Sequence, residues 1–323
     1  MTGDKSRMAE AVALGEAARG TTAPNPNVGC LIVRDEAKIG AGCTQPGGRP
    51  HAEAVALAEA GDDAAGATIF TTLEPCAHES PRGPACTDLI LAARPARVVI
   101  ALRDPDPRTN GRGIERLRAA GIDVKLGTGK NAAVRSLEGF LTRVRHGRPF
   151  VTLKLALSID GRIALASGES KWITGLEARR HVHGERAKAD MILVGRGTYE
   201  ADAPLLDVRL PGQEHLSPRR ALLTRGAGLE GWTKLARPEA VFDLGDVNDL
   251  LVEGGSGAAS AFLTADLVDR MLIYRAPVLI GEGKSALGYI GLSDLAAAHG
   301  RWRLTSEKKL GADRLEVYER VRP

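Results

Sequence analysis

Along the first half of the chain, apolar positions switch between helical and strand spacing several times. Residues 7–19 set alanines and other apolar residues against Glu10, Glu16 and Arg19, which predicts a helix. Pro24 and Pro26 forbid its continuation and mark a turn-rich stretch from Thr21 to Asn27. Val28 to Val33 and Lys38 to Cys43 then read as two strands across a short turn, and His51 to Ala60 as a helix rich in Ala and Glu. Ala67 to Leu73 is a strand leading into Glu74-Pro75-Cys76, Asp88 to Ala93 a helix and Arg97 to Leu102 a strand. This β-β-α-β-α-β order predicts helices covering a sheet.

A new strand-like run, Phe150 to Leu157, begins after His146-Gly147-Arg148-Pro149. The predicted domains are therefore 1–147 and 148–323. Ala189 to Gly195, Arg220 to Thr224, Asp249 to Val252 and Met271 to Ile280 are further apolar segments, so the second domain is also expected to be α/β.

A length of 323 residues agrees with two domains, each large enough for its own core. No apolar run approaches the roughly 20 residues that span a bilayer, and the N-terminal segment lacks the apolar region of a signal peptide. A cytoplasmic protein without a membrane partner is expected. The net charge of +4 is dispersed and forms no basic tract, which argues against nucleic acid and suits an anionic small molecule. The cysteines change the picture more: Cys30, Cys43, Cys76 and Cys86 all precede residue 87, and a disulfide framework is unexpected in a cytosolic chain of this size.

His51-Ala52-Glu53 at a helix start, Pro75-Cys76 after a strand, and Cys86 together supply one His, two Cys and a non-ligating Glu. Zinc favours such N and S ligands, and three of them leave its fourth position open for water, the arrangement of a catalytic site. Glu53 is placed to move the protons of a hydrolytic deamination. Singly, each residue has an ordinary use, the Cys as small core residues and the His and Glu on a helix surface; jointly they point to zinc. His78 is a rival ligand in the 77–85 loop, whereas Cys30 and Cys43 lie on predicted strands and are assigned to the core.

Four motifs, Pro24-Asn25-Pro26-Asn27-Val28-Gly29-Cys30, His51-Ala52-Glu53, Thr72-Leu73-Glu74-Pro75-Cys76-Ala77-His78 and Asp104-Pro105-Asp106-Pro107, resemble the deaminase half of the bifunctional riboflavin-biosynthesis deaminase/reductases. Lys154-Leu155, Ser158 to Arg162, Ala166 to Thr174 and Val252-Glu253-Gly254-Gly255 resemble the reductase half. The resemblance implies an N-terminal cytidine-deaminase-like α/β/α domain and a C-terminal dihydrofolate-reductase-like α/β domain. It implies zinc-dependent deamination of a diaminopyrimidinone ribosyl 5′-phosphate, then reduction of the ribosyl group to ribityl with NADPH, in a homo-oligomer.

By the same resemblance, Asn25 and Asn27 face the pyrimidine, although turn formation explains an Asn-Pro pair equally well. Arg82 is a candidate for the substrate phosphate. In the second half the resemblance assigns substrate binding to Ser170, Arg186, Leu206, Arg209 and Glu253, with Arg186 and Arg209 as phosphate partners. It assigns the cofactor to Ala156, Trp172, Thr198, Asp202 and the run Gly255, Ser256, Gly257, Ala258, Ala259, Ser260, Ala261, and makes Lys154 the candidate catalytic residue of the reduction. The Gly-rich run between a strand and a helix also suits a phosphate in its own right, since glycines admit the backbone closely and a helix N-terminus offers amide donors.

Three departures stand out. Cys43-Thr44 replaces the usual aromatic residue and His, the 77–85 loop is one residue longer than expected, and the Thr224 to Asn248 stretch is short where the family has a further strand and helix. Two other readings remain: a zinc deaminase acting on tRNA, and a deaminase whose second domain is degenerate or serves only interaction.

Overall fold

The computed structural model describes residues 2–78 and 80–322, which divide into two compact units, Met1–Gly147 and Arg148–Pro323. Among the described residues no helix is long and apolar enough to cross a membrane.

The first unit is built on strands β1 (Gly29–Arg34), β2 (Ala37–Cys43), β3 (Thr68–Thr71), β4 (Arg97–Ile100) and β5 (Asp123–Leu126), in the order β2-β1-β3-β4-β5. β1 runs antiparallel to β2 and β3, while β3, β4 and β5 are parallel. Helices α1 (Thr2–Ala17), α2 (Ala52–Ala60), α3 (Cys86–Ala93), α4 (Arg112–Ala119), α5 (Lys130–Ser136) and α6 (Glu138–His146) complete it. Two glycines show how both faces are covered. A Cβ on Gly29 would lie 1.8 Å from the Ala11 carbonyl oxygen of α1, and one on Gly42 would lie 2.5 Å from the Ala52 carbonyl oxygen of α2. Gly29 pairs with Cys43 and Gly42 with Cys30, so the two glycines face opposite sides of the β1–β2 ladder, with α1 on one side and α2 on the other. Buried on both faces, β1, β3 and β4 read as the near-continuous apolar runs Cys30 to Val33, Ile69-Phe70 and Val98 to Ile100. The expected α/β/α arrangement is present. The added elements α4 to α6 and β5 escaped the hydrophobic pattern, because β5 is an edge strand with only Val124 buried.

The second unit carries an eight-stranded sheet, formed by β6 (Phe150–Leu157), β8 (Met191–Gly195), β9 (Arg219–Leu223), β10 (Thr233–Leu235), β11 (Asp249–Glu253), β12 (Arg270–Arg275), β14 (Trp302–Leu310) and β15 (Asp313–Arg320). Their order is β10-β9-β8-β11-β6-β12-β15-β14, and all neighbours are parallel except β12/β15 and β15/β14. β7 (Arg162–Leu165) and β13 (Gly283–Ser285) pair separately. Helices α7 (Leu176–Ala187), α8 (Arg196–Asp202) and α9 (Ser256–Thr264) connect the strands. The Thr224 to Asn248 stretch is short but not bare: it supplies β10, parallel to β9, and a 3-10 turn at Pro238–Asp243 in place of a helix.

Candidate active sites

In the first unit three donors converge. His51 is the N-cap of α2 in extended conformation, Cys76 follows β3 on the strap Glu74-Pro75, and Cys86 is the first residue of α3. His51 Nδ1 lies 3.3 Å from Cys86 Sγ and 3.6 Å from Cys76 Sγ, and all three ligand atoms fall within 4.8 Å of one another. Tetrahedral zinc, with bonds of about 2.0–2.3 Å, requires such atoms to sit roughly 3.5–3.8 Å apart, so spacing and donor chemistry fit this metal. Among the described residues no other group of three could hold an ion.

The electrostatics agree. The Cys86 side chain, together with the His51 ring and the Cys86 amide, which donates to Cys76 Sγ at 3.2 Å, holds the Cys76 thiol down at about 4. The neighbouring Cys76 sulfur and burial push Cys86 up. Glu53, in the first turn of α2, is buried, and that burial raises its carboxyl against the opposing pull of His51. His78 stands apart from this group, its Nδ1 at 3.4 Å from the Thr109 hydroxyl. Cys30 is buried on β1 as expected, while Cys43 is half-buried and accepts from Gln45.

The two asparagines part company. Asn25 Nδ2 donates to the Gly48 carbonyl at 2.6 Å, and Arg82 donates to Gly47 at 3.3 Å, so both meet the turn that leads to His51. Asn27 is buried instead, with Nδ2 donating to Gly15 O, Ser136 O and Ser136 Oγ, a brace between α1 and α5. Thr44 is buried too, and its hydroxyl accepts from the Val28 amide. Sequence reasoning passed over Glu74 and Thr87. Thr87 Oγ1 donates to the Cys76 carbonyl at 2.9 Å, fixing the strap that carries the ligand; the signal available was their adjacency to Cys76 and Cys86.

In the second unit Lys154 and Glu253 are register partners on β6 and β11, with Lys154 Nζ 3.6 Å from Glu253 Oε2. Arg186, on α7 and only 9% exposed, donates from Nε and Nη2 to the two Glu253 oxygens at 2.7 and 2.9 Å, and from Nη1 to the Asp207 carbonyl. Burial opposes ionisation of Glu253, but Lys154 and Arg186 overcome it and hold the carboxyl at about 2. The structure thus engages Arg186 with Glu253, while Arg209, exposed, reaches Asp207 Oδ1 at 3.3 Å. Ala156 shares the Lys154 face of β6, opposite Tyr274 of β12.

The Gly-rich turn lies at the C-terminal end of β11. The Gly255 amide donates to Thr198 Oγ1 at 2.9 Å, a Cβ on Gly255 would sit 2.9 Å from that oxygen, and one on Gly254 would sit 2.8 Å from the Ala258 Cβ. The Gly255 amide is thus taken by Thr198 and both glycines pack against the protein itself, while α9 opens at half-buried Ser256 and exposed Gly257, a helix N-terminus of the kind that favours phosphate. Ala258, Ala259 and Ser260 are buried, and the Ser260 hydroxyl accepts from the Gly288 amide at 2.8 Å; Ala261 is half-buried. Asp202 pairs with Lys171 at 3.6 Å, beside half-buried Ser170 and exposed Trp172, whose ring lies 4.7 Å from the Arg179 guanidinium. Leu206 is buried in the core at a φ of 56°.

Residues 1–102 match the family described as the cytidine and deoxycytidylate deaminase zinc-binding region, and residues 149–315 the family described as the RibD C-terminal domain. The chain is similar to the riboflavin biosynthesis protein RibD of Escherichia coli K12, at 40% identity over 91% of this chain and 94% of that one. Among solved structures it is similar to Acinetobacter baumannii RibD, with a TM-score of 0.89 and 35% identity over 99% of both chains. It is also similar to a diaminohydroxyphosphoribosylaminopyrimidine deaminase/5-amino-6-(5-phosphoribosylamino)uracil reductase from Thermotoga maritima, with a TM-score of 0.90 and 31% identity over 98% of this chain and 99% of that one.

Proposed function

The chain belongs to the RibD family of bifunctional riboflavin-biosynthesis enzymes, and on that premise we propose that residues 1–147 carry its zinc-dependent deaminase and residues 148–323 its NADPH-dependent reductase. The observation that carries the reading is the convergence of His51, Cys76 and Cys86 beside buried Glu53. The substrate is a diaminopyrimidinone ribosyl 5′-phosphate, deaminated first and then reduced to the ribityl compound.

His51, Cys76 and Cys86 hold the metal. When bound, zinc acidifies water and supplies a nucleophile at neutral pH. Glu53 would carry the two protons of the hydrolysis, one to the ring nitrogen and one to the departing amino group, so that water is consumed, ammonia leaves neutral and a ring carbonyl remains. Asn25 stands at the heterocycle edge and Arg82 at the phosphate, while Asn27, bonded to Gly15 and Ser136, joins α1 to α5.

In the second unit Gly255, Ser256, Gly257 and Thr198 receive the cofactor phosphates, with Ala156, Trp172, Asp202 and the Ala258 to Ala261 turn completing its site. When bound, NADPH supplies a hydride to the ribosyl carbon that is reduced. Lys154 would give the accompanying proton to the ribose ring oxygen that is released, and Glu253, held ionised by Lys154 and Arg186, aims the ammonium group. Ser170, Leu206 and Arg209 border the substrate. Bringing half-buried Lys154 and Glu253 together with buried Arg186 costs desolvation, which favours an enzymatic second unit over one that only mediates contacts. The reading includes a cytoplasmic homo-oligomer acting on a phosphorylated pyrimidine, without nucleic-acid or membrane partners.

Metal analysis of the purified chain, ammonia release, and NADPH titration by quenching of tryptophan fluorescence test this reading. The expected result is about one zinc per chain, ammonia from the substrate, and saturable quenching. A chain without zinc or ammonia contradicts the deaminase, and one that ignores NADPH contradicts the reductase.

A further inference from the structure

Glu74 is a buried carboxylate in the first unit, 2% exposed, two residues ahead of Cys76. Its Oε2 accepts from the amides of Asp104 at 3.2 Å and Gly111 at 2.9 Å, and its Oε1 from the amide of Ile114 at 3.2 Å. Among the described residues no cationic side chain pairs with it, and its oxygens meet these three amides, two of them at the N-terminal end of α4. Its own amide donates to the Leu102 carbonyl at 2.8 Å, where β4 ends beside β3. The following residue is gripped as well. The Pro75 carbonyl accepts from Thr87 Oγ1 at 3.2 Å and faces Gly113, where a Cβ would lie 2.4 Å away. Cys76 therefore leaves a strap clamped between the first turn of α3 and the first turn of α4, and Glu74 supplies the side-chain contacts to α4. The same carboxylate spans the 104–111 loop, whose Thr109 hydroxyl lies 3.4 Å from His78.

We infer that Glu74 is a positioning residue for the metal centre, setting the Cys76 sulfur and the 104–111 loop through backbone amides while touching neither metal nor substrate. The inference rests on the zinc reading above. In Glu74→Gln one oxygen becomes an NH2 group, which cannot accept, so at least one of the three amides loses its partner. Changes in groups that orient a metal ligand typically cost about 10- to 100-fold in metal affinity or activity.

The test compares wild type, Glu74→Gln and Glu74→Asp after loading with cobalt(II) or zinc. The expected results for Glu74→Gln are shifted thiolate-to-cobalt and d–d absorption bands, zinc release to a chelator about 10- to 100-fold faster, and a lowered kcat for ammonia release at nearly unchanged KM. Glu74→Asp keeps both acceptor oxygens on a shorter side chain and should recover part of each property. Glu74→Gln with wild-type bands, release rate and kcat overturns the inference. If Glu74→Gln fails to fold, Glu74→Asp decides: altered bands and release support positioning, and wild-type behaviour overturns it by leaving the carboxylate a role in folding alone. Failure of wild type itself to bind cobalt or zinc contradicts the zinc reading, a different outcome from wild-type-like variants of a metal-binding chain.

Discussion

A carboxyl group buried beside metal-ligating atoms holds its proton more tightly than an exposed one, and burial raises Glu53 in this way. Replacing it tests its role without disturbing the ligands. Glu53→Gln should lower ammonia release by about 100-fold or more while zinc content stays at the wild-type level; near-normal ammonia release would remove Glu53 from the proton path. His51, Glu53, Cys76 and Cys86 were legible in the sequence because soft donors and a nearby carboxylate have few other joint uses. The neighbouring residues were less legible, since a residue type states what a side chain is able to bond and not what it meets. Asn27 offers the same amide as Asn25, yet the structure turns its donors to Gly15 and Ser136. Arg186 has the charge to bind phosphate, yet both Glu253 oxygens take its guanidinium.

At the scale of elements, the candidate sites lie at the C-terminal ends of parallel strands, where Cys76 follows β3 and the Gly254-Gly255 turn follows β11. A buried carboxyl lies at the opposite end of β8. Asp190, just before β8, accepts from the amides of Asn248 and Asp249 with one oxygen, and burial, reinforced by Asp249, raises it to about 6 from 3.8. A carboxyl with a higher pKa folded than unfolded binds more protons when folded. Its favourable contribution is complete below about pH 4 and is lost as pH rises through about 6. Asp190→Asn retains an acceptor oxygen and cannot ionise, so it should stabilise the second unit by about 1–3 kcal/mol at pH 8 and by little at pH 4. Urea unfolding followed by tryptophan fluorescence reads this unit alone, because Trp172, Trp232 and Trp302 all follow residue 147; equal stability of variant and wild type at pH 8 would refute the effect. The apolar central strands were legible and so was the edge strand β2, whereas β5, β10 and β14 at the edges and β15 beside β14 were not. β14 exposes seven successive residues, Arg303 to Lys309, and such a charged edge resists pairing with other sheets while hiding its strand pattern.

At the scale of the whole molecule, each unit has its own core, one running through Leu31, Ile69 and Val98, the other through Leu153, Leu193 and Val252. Two chemistries on two cores should be separable by mutation yet act in sequence on one substrate. The short 225–248 stretch shows why loop content was hard to foresee: β10 survives there through pairing with β9, a long-range contact that local spacing does not encode. The most direct measurement of the central claim follows ammonia and NADPH together in one reaction of the purified chain with the diaminopyrimidinone ribosyl phosphate. Equal final amounts of ammonia released and NADPH oxidised, with NADPH oxidation lagging behind ammonia, are the expected result. Ammonia released with no oxidation of NADPH would contradict the assignment of two activities to this chain.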